Sequence, residues 1–154
     1  MKKAVLFLLF ALSALTVSAQ DIKEIKWMTF DEATALQKVN PKPIFMDVYT
    51  DWCGPCKMLD KNTFHNIEIV NYVNENYYAV KFNAEGNSEV NYKDKKYSNP
   101  EFVPGTNGRN SMHQFAYFLE VQGYPSMYIL DKKGELKPPL VGYRTSEQLI
   151  VELK

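Results

Sequence analysis

A short apolar segment that runs into a cysteine pair constrains the fold most. Residues 44–49 read IFMDVY, and their length and composition predict a buried β-strand. The next residues, DWCGPCK, hold both of the chain's two cysteines. Pro55 lies between them, and proline suits the first helical turn because its missing N–H has no partner there. The sequence therefore predicts a change from strand to helix at Cys53 and Cys56.

The other segments alternate between helical and strand patterns, which predicts an α/β fold in which helices cover a mixed sheet. Residues 84–109 are rich in Gly, Asn, Ser, Lys and Pro without a sustained period, so a long loop is expected there. The chain length favours one domain. Helices are expected at about 30–38, 55–61, 67–74 and 110–119 and from 145 onward, and strands at 44–49, 78–83, 126–130 and about 136–141.

The first nineteen residues have the pattern of a secretory signal peptide. Lys2 and Lys3 precede an uncharged run at 4–17, and Val17-Ser18-Ala19 fits a cleavage site. The run is too short for the alternative, a retained transmembrane anchor, which takes about 18 to 20 apolar residues. We expect residues 1–19 to be removed. Residues 20–154 would then be exported as one domain to the periplasm or another extracytoplasmic compartment, without stable membrane insertion.

Charge and cysteine content narrow the function. The formal net charge is zero, and there is no long basic block, which argues against a nucleic-acid partner. Exported proteins usually use cysteines for structural disulfides. A bridge across two intervening residues closes a very small loop, so it restricts the unfolded chain little. Stability therefore explains this pair poorly.

The spacing of the pair suits thiol–disulfide exchange, which needs an ionised thiol and a second thiol that resolves the mixed disulfide. Cys53 precedes the helix, where unpaired N–H groups and the helix dipole lower a thiol pKa to about 3.5 to 7.5. Cys56 lies one turn later, as the resolving thiol. Gly54 permits the close approach of a substrate strand. Lys57 adds positive charge nearby.

Two other uses of paired cysteines fit less well. A structural metal site needs four ligands, and only His65 and His113 are available besides the cysteines. The two histidines are expected to be surface or packing residues. Covalent haem attachment needs a histidine directly after the second cysteine, where this chain has Lys57. We therefore expect redox chemistry by the thiols themselves, with no metal and no cofactor.

The segment WCGPCK after a buried strand resembles the active site of thioredoxins, and the resemblance runs from about residue 27 to the end. It implies a thioredoxin fold with a sheet of four to five strands. Asp47 matches the buried acid beneath the resolving cysteine that accepts a proton, and Lys81 matches the lysine beside it. Pro125 matches the cis-proline that faces the disulfide and, with Tyr124, offers backbone to the substrate.

Each of these assignments has a simpler alternative. The alternative for Asp47 and Lys81 is an ion pair at the end of the sheet without a role in proton transfer. For Pro125, a cis peptide bond is uncommon before proline in general. Trp52 is expected to be a partly exposed shield beside the thiols, with core packing as the alternative. Gly54 and Pro55 complete the expected substrate-binding surface.

The chain departs from a compact thioredoxin in two places. An insertion at about 84–109 separates Lys81 from Pro125, and its aromatic residues are expected to cover an apolar client surface. These aromatic residues are Tyr92, Tyr97 and Phe102. Residues 61–77 resemble the bent helical tract of exported thioredoxin-like domains of the thiol:disulfide interchange type, which disfavours a cytosolic role with a flavin reductase.

The resemblance implies an exported protein-disulfide oxidoreductase that acts as a monomer. A reductase is expected because Gly-Pro between the cysteines resembles the reducing members. Its partners would be protein disulfide clients and a membrane-bound electron donor. The alternatives are a disulfide oxidase or isomerase and, from another class, a non-catalytic binding module on the same fold.

Overall fold

A computed structural model describes residues 24–154 and shows a five-stranded sheet and a separate two-stranded hairpin. The predicted signal peptide at 1–19 lies outside the described residues. The strands are β1 Trp27–Met28, β2 Ile44–Tyr49, β3 Tyr78–Asn83, β4 Val90–Tyr92, β5 Lys95–Tyr97, β6 Ser126–Leu130 and β7 Leu140–Val141. The strand order in the sheet is β1-β3-β2-β6-β7, and β4 and β5 form the hairpin. The helices are α1 Phe30–Val39, α2 Gly54–Leu59, α3 Ile67–Asn76, α4 Gln114–Phe118 and α5 Ser146–Leu153.

The central strand β2 positions the site through its register with both neighbours. It runs parallel to β3, with Asp47 opposite Lys81, and antiparallel to β6, with Val48 opposite Ser126. Opposed residues point to the same face of a sheet, so Asp47 and Lys81 share a face. The pairing with β6 brings Pro125, the residue before Ser126, to the end of β2 from which the cysteine segment leaves. The predicted mixed sheet is confirmed.

Side chains that alternate along β2 divide the core into two layers. Met46 and Val48 belong to the layer under α1 and α4, whereas Phe45 packs under α2, α3 and α5. Asp47 has the parity of Phe45, so its carboxylate lies on the face that the cysteine-bearing helix covers.

Helix starts follow the capping signals in the sequence. Thr29 and Thr145 each form a complete capping box, and Asn66 accepts the backbone N–H of Glu68 at 2.9 Å. These side chains satisfy N–H groups that a helix start otherwise leaves unpaired. The predicted starts of α1, α3 and α5 are confirmed.

The cysteine-bearing helix bends where the sequence resembles a bent tract. Its α-helical part ends at Leu59 and continues as a π-helical turn over Asp60–Phe64, and α3 begins at Ile67. The wide turn buries Thr63 and Phe64. Phe64 packs edge-on against Phe45 of the central strand at a centroid distance of 5.9 Å. This contact fixes the helix over the face that holds Asp47.

The prediction of a plain loop at 84–109 is wrong in part, because this segment contains the β4-β5 hairpin. Val90, Tyr92 and Tyr97 are buried and belong to the core, where both tyrosines pack against Phe115. Phe102 is half-buried. Tyr92 and Tyr97 are therefore not available to cover a client surface. They cover the sheet of their own chain instead.

The hairpin escaped prediction because its signals are short and unusual. Each strand has only three residues, too few to show an alternating pattern. The turn residues Lys93 and Asp94 both have positive φ, 49° and 59°. A tight hairpin turn needs this conformation and usually takes it from Asn or Gly.

Two other elements are shorter than predicted. Helix α4 begins only after His113, which caps it, rather than at residue 110. Strand β7 covers only Leu140–Val141 rather than the expected 136–141. Earlier in that range, Leu136 forms an isolated bridge with Leu130. Pro138 and Pro139 precede β7 and lack the N–H groups that a ladder needs.

Across residues 24–154, no helix has the length and apolar character to cross a membrane.

Candidate active site

The cysteine pair sits where the sequence places it, at the junction of β2 and α2. Cys53 is the N-cap residue of α2, and its sulfur accepts the backbone N–H of Cys56 at 3.1 Å. The two sulfurs are joined in a disulfide, with Cα atoms 5.3 Å apart. Pro55 lies in the first helical turn. The two cysteines thus lie within one turn of each other at the start of α2.

Both cysteines are shielded from solvent, while the residue between them is open. Cys53 is 2% exposed and Cys56 is 5% exposed. A Cβ atom at Gly54 would meet nothing within 4 Å, so the space above it is free. The open surface beside the pair is therefore at Gly54.

The Tyr124–Pro125 peptide bond is cis, as the resemblance implies. The Pro125 carbonyl accepts the Gly142 N–H at 2.8 Å, which ties the segment to the chain that leaves β7. The Tyr124 ring packs edge-on against Trp52, with centroids 5.8 Å apart. The segment before β6 therefore adjoins the residue that precedes Cys53.

Beneath the cysteine helix, three charged side chains form one network. The Lys81 Nζ donates to Asp47 Oδ2 at 3.0 Å and to Asp60 Oδ1 at 2.7 Å. Asp47 is 1% exposed, and its other oxygen, Oδ1, is buried without a hydrogen-bond partner. Burial raises the pKa of Asp47, although Lys81 opposes the rise. The fold therefore favours the protonated carboxyl.

The lysine of this network is enclosed by aromatic rings. Its Nζ lies 5.1 Å from the ring centroid of Trp27, 5.0 Å from that of Tyr49 and 5.3 Å from that of Phe64. Burial works to lower the pKa of Lys81, but Asp47 and Asp60 outweigh burial and raise it. Lys81 stays a cation beside Asp47.

A crevice of about 130 Å³ lies between the network and Cys56. Its lining includes Cys56, Thr50, Asp60 and Lys81. The Thr50 hydroxyl is buried without a partner, like Asp47 Oδ1. The crevice has room for water, for which Thr50, Asp60 and Lys81 offer polar partners. Water in it would link Cys56 to the charged network.

Asp60 was missed from the sequence, although a signal for it exists. It lies four residues after Cys56, and residues at that spacing share one face of a helix. Asp60 and Cys56 therefore lie on the same side of the helical segment, and Asp60 contacts Lys81 there.

The surroundings of Trp52 were also missed. Trp52 is 36% exposed, and its indole Nε1–H donates to Glu85 Oε2 at 2.9 Å. The Arg109 guanidinium lies over the indole ring, 4.3 Å from its centroid. These residues lie 33 and 57 positions away from Trp52, and no local pattern pairs them.

The two histidines lie in different places. His65 is exposed, and its Nδ1 lies 2.7 Å from the Asp60 carbonyl. His113 is buried, accepts the Phe115 N–H at its Nδ1, and places its Nε2 2.6 Å from the Ser88 carbonyl. Within residues 24–154, no three His, Cys, Asp or Glu side chains lie where they could hold a metal ion together.

Known proteins share this fold and this kind of site. The family model described as a thioredoxin-like domain matches residues 30–154. Thiol:disulfide interchange protein DsbD of Campylobacter jejuni is 29% identical over 110 residues, which is 69% of this chain and 18% of that protein. The chain spans only 10 to 18% of the curated relatives that it matches.

Two solved structures show the same fold at low sequence identity. A thioredoxin from Thermus thermophilus has a TM-score of 0.61 and 14% identity, with 84% of this chain and 85% of that chain covered. The oxidised C-terminal domain of DsbD from Neisseria meningitidis has a TM-score of 0.53 and 20% identity, with 82% and 94% covered. This chain therefore belongs to the thioredoxin-like domain family, in which its cysteine pair makes it a thiol–disulfide oxidoreductase.

Proposed function

We propose that this protein is an exported reductase that passes two electrons to the disulfides of client proteins. The observation that carries the proposal is the place of Cys53 at the N-cap of α2, where its sulfur accepts the Cys56 N–H. In the reduced protein the same N–H and the positive end of the helix would stabilise a Cys53 thiolate. The Gly-Pro pair, which resembles that of reducing members, supports this direction.

The reaction takes two exchange steps. The Cys53 thiolate attacks one sulfur of the client disulfide, so that a mixed disulfide forms and the other client sulfur leaves as a thiolate. Cys56 then loses its proton and attacks the Cys53 sulfur, which releases the second client thiolate. The client has gained two electrons, and Cys53 and Cys56 are left as the disulfide seen here.

Asp47 is proposed as the base that takes the proton of Cys56. Two observations support this role: its oxygen Oδ1 has no hydrogen-bond partner, and its partner Lys81 lines the crevice beside Cys56. The raised pKa of Asp47 brings it nearer to neutral pH, where a base is most effective. Lys81 is a positioning residue, since it holds Asp47 Oδ2 through a charged hydrogen bond.

The partners follow from the proposed compartment. Outside the cytoplasm, the disulfide would be reduced again by a membrane-bound dithiol protein, which fits relatives named as thiol:disulfide interchange proteins. Fractionation of cells that express the full chain, with N-terminal sequencing of the product, tests export. Recovery of uncleaved protein in the cytoplasm would overturn this part of the proposal. Light scattering of residues 20–154 tests the expected monomer.

The roles of the two cysteines are tested by trapping. In the reduced protein at pH 7, iodoacetamide should modify Cys53 much faster than Cys56, since only Cys53 has a stabilised thiolate. Cys56→Ser should accumulate mixed disulfides with clients, and the matched variant Cys53→Ser should not. Equal alkylation rates, or trapping by Cys53→Ser, would reverse the assignment.

Direction and activity are tested separately. Reduction of insulin disulfides distinguishes an enzyme from a binding module on the same fold, because a module gives no turnover. Equilibration with glutathione then measures the reduction potential, on a scale where 30 mV is about 1.4 kcal/mol. A potential well above that of glutathione would favour the alternative, a disulfide oxidase or isomerase.

A further inference from the structure

The insertion places a positive charge at the rim of the active site. The Cζ of the Arg109 guanidinium lies over the Trp52 ring, 4.3 Å from the ring centroid. Trp52 directly precedes Cys53, and on another side its ring meets Tyr124. A client that approaches the cysteine pair over Gly54 therefore passes close to this cation.

Hydrogen bonds hold the segment that carries Arg109 next to the cysteine pair. Glu85 Oε2 accepts both the Trp52 indole N–H at 2.9 Å and the backbone N–H of Asn110 at 2.8 Å. The side chain of Asn110 bonds in turn to the backbone N–H and carbonyl of Val103, at 3.1 and 2.8 Å. The Glu85 carboxylate thus joins Trp52 to Asn110. Because Arg109 directly precedes Asn110, this link holds Arg109 next to Trp52.

Arg109 has no acidic partner among residues 24–154. No carboxylate oxygen of these residues lies within 4.0 Å of its guanidinium, whereas Arg144 pairs with Glu152 at 3.1 Å. Glu85 Oε2 instead accepts hydrogen bonds from two neutral N–H donors. Stacking on an indole uses the flat face of a guanidinium and leaves the N–H groups at its edge free. The edge fits a carboxylate, which can accept two of these N–H groups at once.

We infer that Arg109 determines specificity by binding a carboxylate of the client, so that preferred clients carry Asp or Glu beside the attacked cysteine. This inference rests on the proposed reductase function and adds a substrate class to it. The insertion then contributes to recognition through its last residues, while its tyrosines serve the core.

The test uses disulfide-linked peptides that differ only at the residue next to the attacked cysteine, which is Glu, Gln or Lys. The rate constant for reduction by the reduced protein is measured at low salt. Arg109→Gln should slow reduction of the Glu peptide by up to about fivefold, the upper limit expected for one exposed ion pair. It should leave the Gln peptide unchanged. Arg109→Lys should retain part of the preference, because charge remains without the planar fork.

Lys95→Gln is the matched control. It removes the same charge from the same insertion, and Lys95 also stacks on a ring, 4.9 Å from the centroid of Tyr97. We expect no change in peptide preference from it. In about 1 M salt the preference of the parent protein for the Glu peptide should largely disappear, because exposed charges are screened.

Equal effects of Arg109→Gln on all three peptides, or an equal loss of preference in Lys95→Gln, would overturn the inference while reduction itself persists. Failure of the parent protein to reduce any peptide is a different result, which would remove the proposed function and the inference with it. Thermal melting of each variant shows that an altered rate does not reflect unfolding.

Discussion

Asp47→Asn is the most informative single change, since it removes the proposed base while keeping the shape of the side chain. General base catalysis contributes about 10²- to 10⁴-fold to a rate. The crevice beside Cys56 has a volume of about 130 Å³ and is lined in part by Thr50, Asp60 and Lys81, so water in it can accept the proton when Asp47 cannot. We therefore expect the lower limit, about a 100-fold slower resolving step at pH 7.

The reduced protein and DTNB separate the two steps in one stopped-flow trace. The first thionitrobenzoate leaves when Cys53 attacks, and the second leaves when Cys56 resolves the mixed disulfide. Asp47→Asn should slow only the second phase. In the parent protein the second phase should accelerate as pH rises through the raised pKa of Asp47, and the variant should lose that pH dependence. Asp51→Asn, at an exposed acid nearby, should change neither phase.

The same variant has a predicted effect on stability with a definite sign. A carboxyl whose pKa is raised by folding binds its proton more tightly in the native state, so stability falls as pH rises from the unfolded pKa to the folded pKa. The variant should therefore be more stable than the parent at pH 7 and equal to it at low pH. Each unit of pKa shift corresponds to about 1.4 kcal/mol of unfolding free energy.

The kinetic result decides the role of Asp47. If the second DTNB phase of Asp47→Asn stays within twofold of the parent rate across pH 6 to 8, Asp47 is not the base.

Three further predictions concern other parts of the molecule. Lys81→Met should fit the aromatic surroundings but remove the cation that lowers the pKa of Asp47, so the pH midpoint of the second DTNB phase should move upward; an unchanged midpoint would contradict this. Burial lowers the pKa of His113 below its ordinary 6.5, so the unfolding free energy should fall by up to about 1.4 kcal/mol per pH unit below pH 6.5. Urea titrations should show a smaller slope in His113→Asn. The control His65→Asn, at an exposed histidine, should keep the slope of the parent protein. Replacing residues 86–108 by a Gly/Ser linker removes the buried hairpin tyrosines and should lower the melting temperature markedly; an unchanged melting temperature would show that the hairpin adds nothing to the core.

Local signals in the sequence predict the elements that hold the cysteine pair. The apolar run at β2, the proline in the first turn of α2, and the capping residues Thr29 and Thr145 each act through contacts within a few residues. Such contacts are determined by the local chain, so reading them in order gives the correct elements. The sequence gives no comparable local cue for the distance between Asp47 and Lys81, which depends on strand register. The resemblance supplied that pair.

The features that escaped prediction depend on contacts between distant residues. Whether Tyr92 faces solvent or core is decided by Phe30 and Phe115, which are far from it in sequence. The hydrogen bond from Trp52 to Glu85 likewise requires that the end of β3 and the cysteine segment lie side by side. A polar, glycine-rich composition indicates a loop correctly on average, but it does not show which few side chains turn inward.

The short outer strands of the sheet affect how the protein meets other chains. Strands β1 and β7 have two residues each, and Pro138 and Pro139 lie directly before β7. An edge strand with few free N–H and C=O groups is a poor template for the addition of a foreign strand. The proposed reductase would meet client chains that are not fully folded, and such chains can add to an open sheet edge. Clients would find few backbone groups to pair with at β1 and β7, which would favour brief encounters at the cysteine pair and release after exchange.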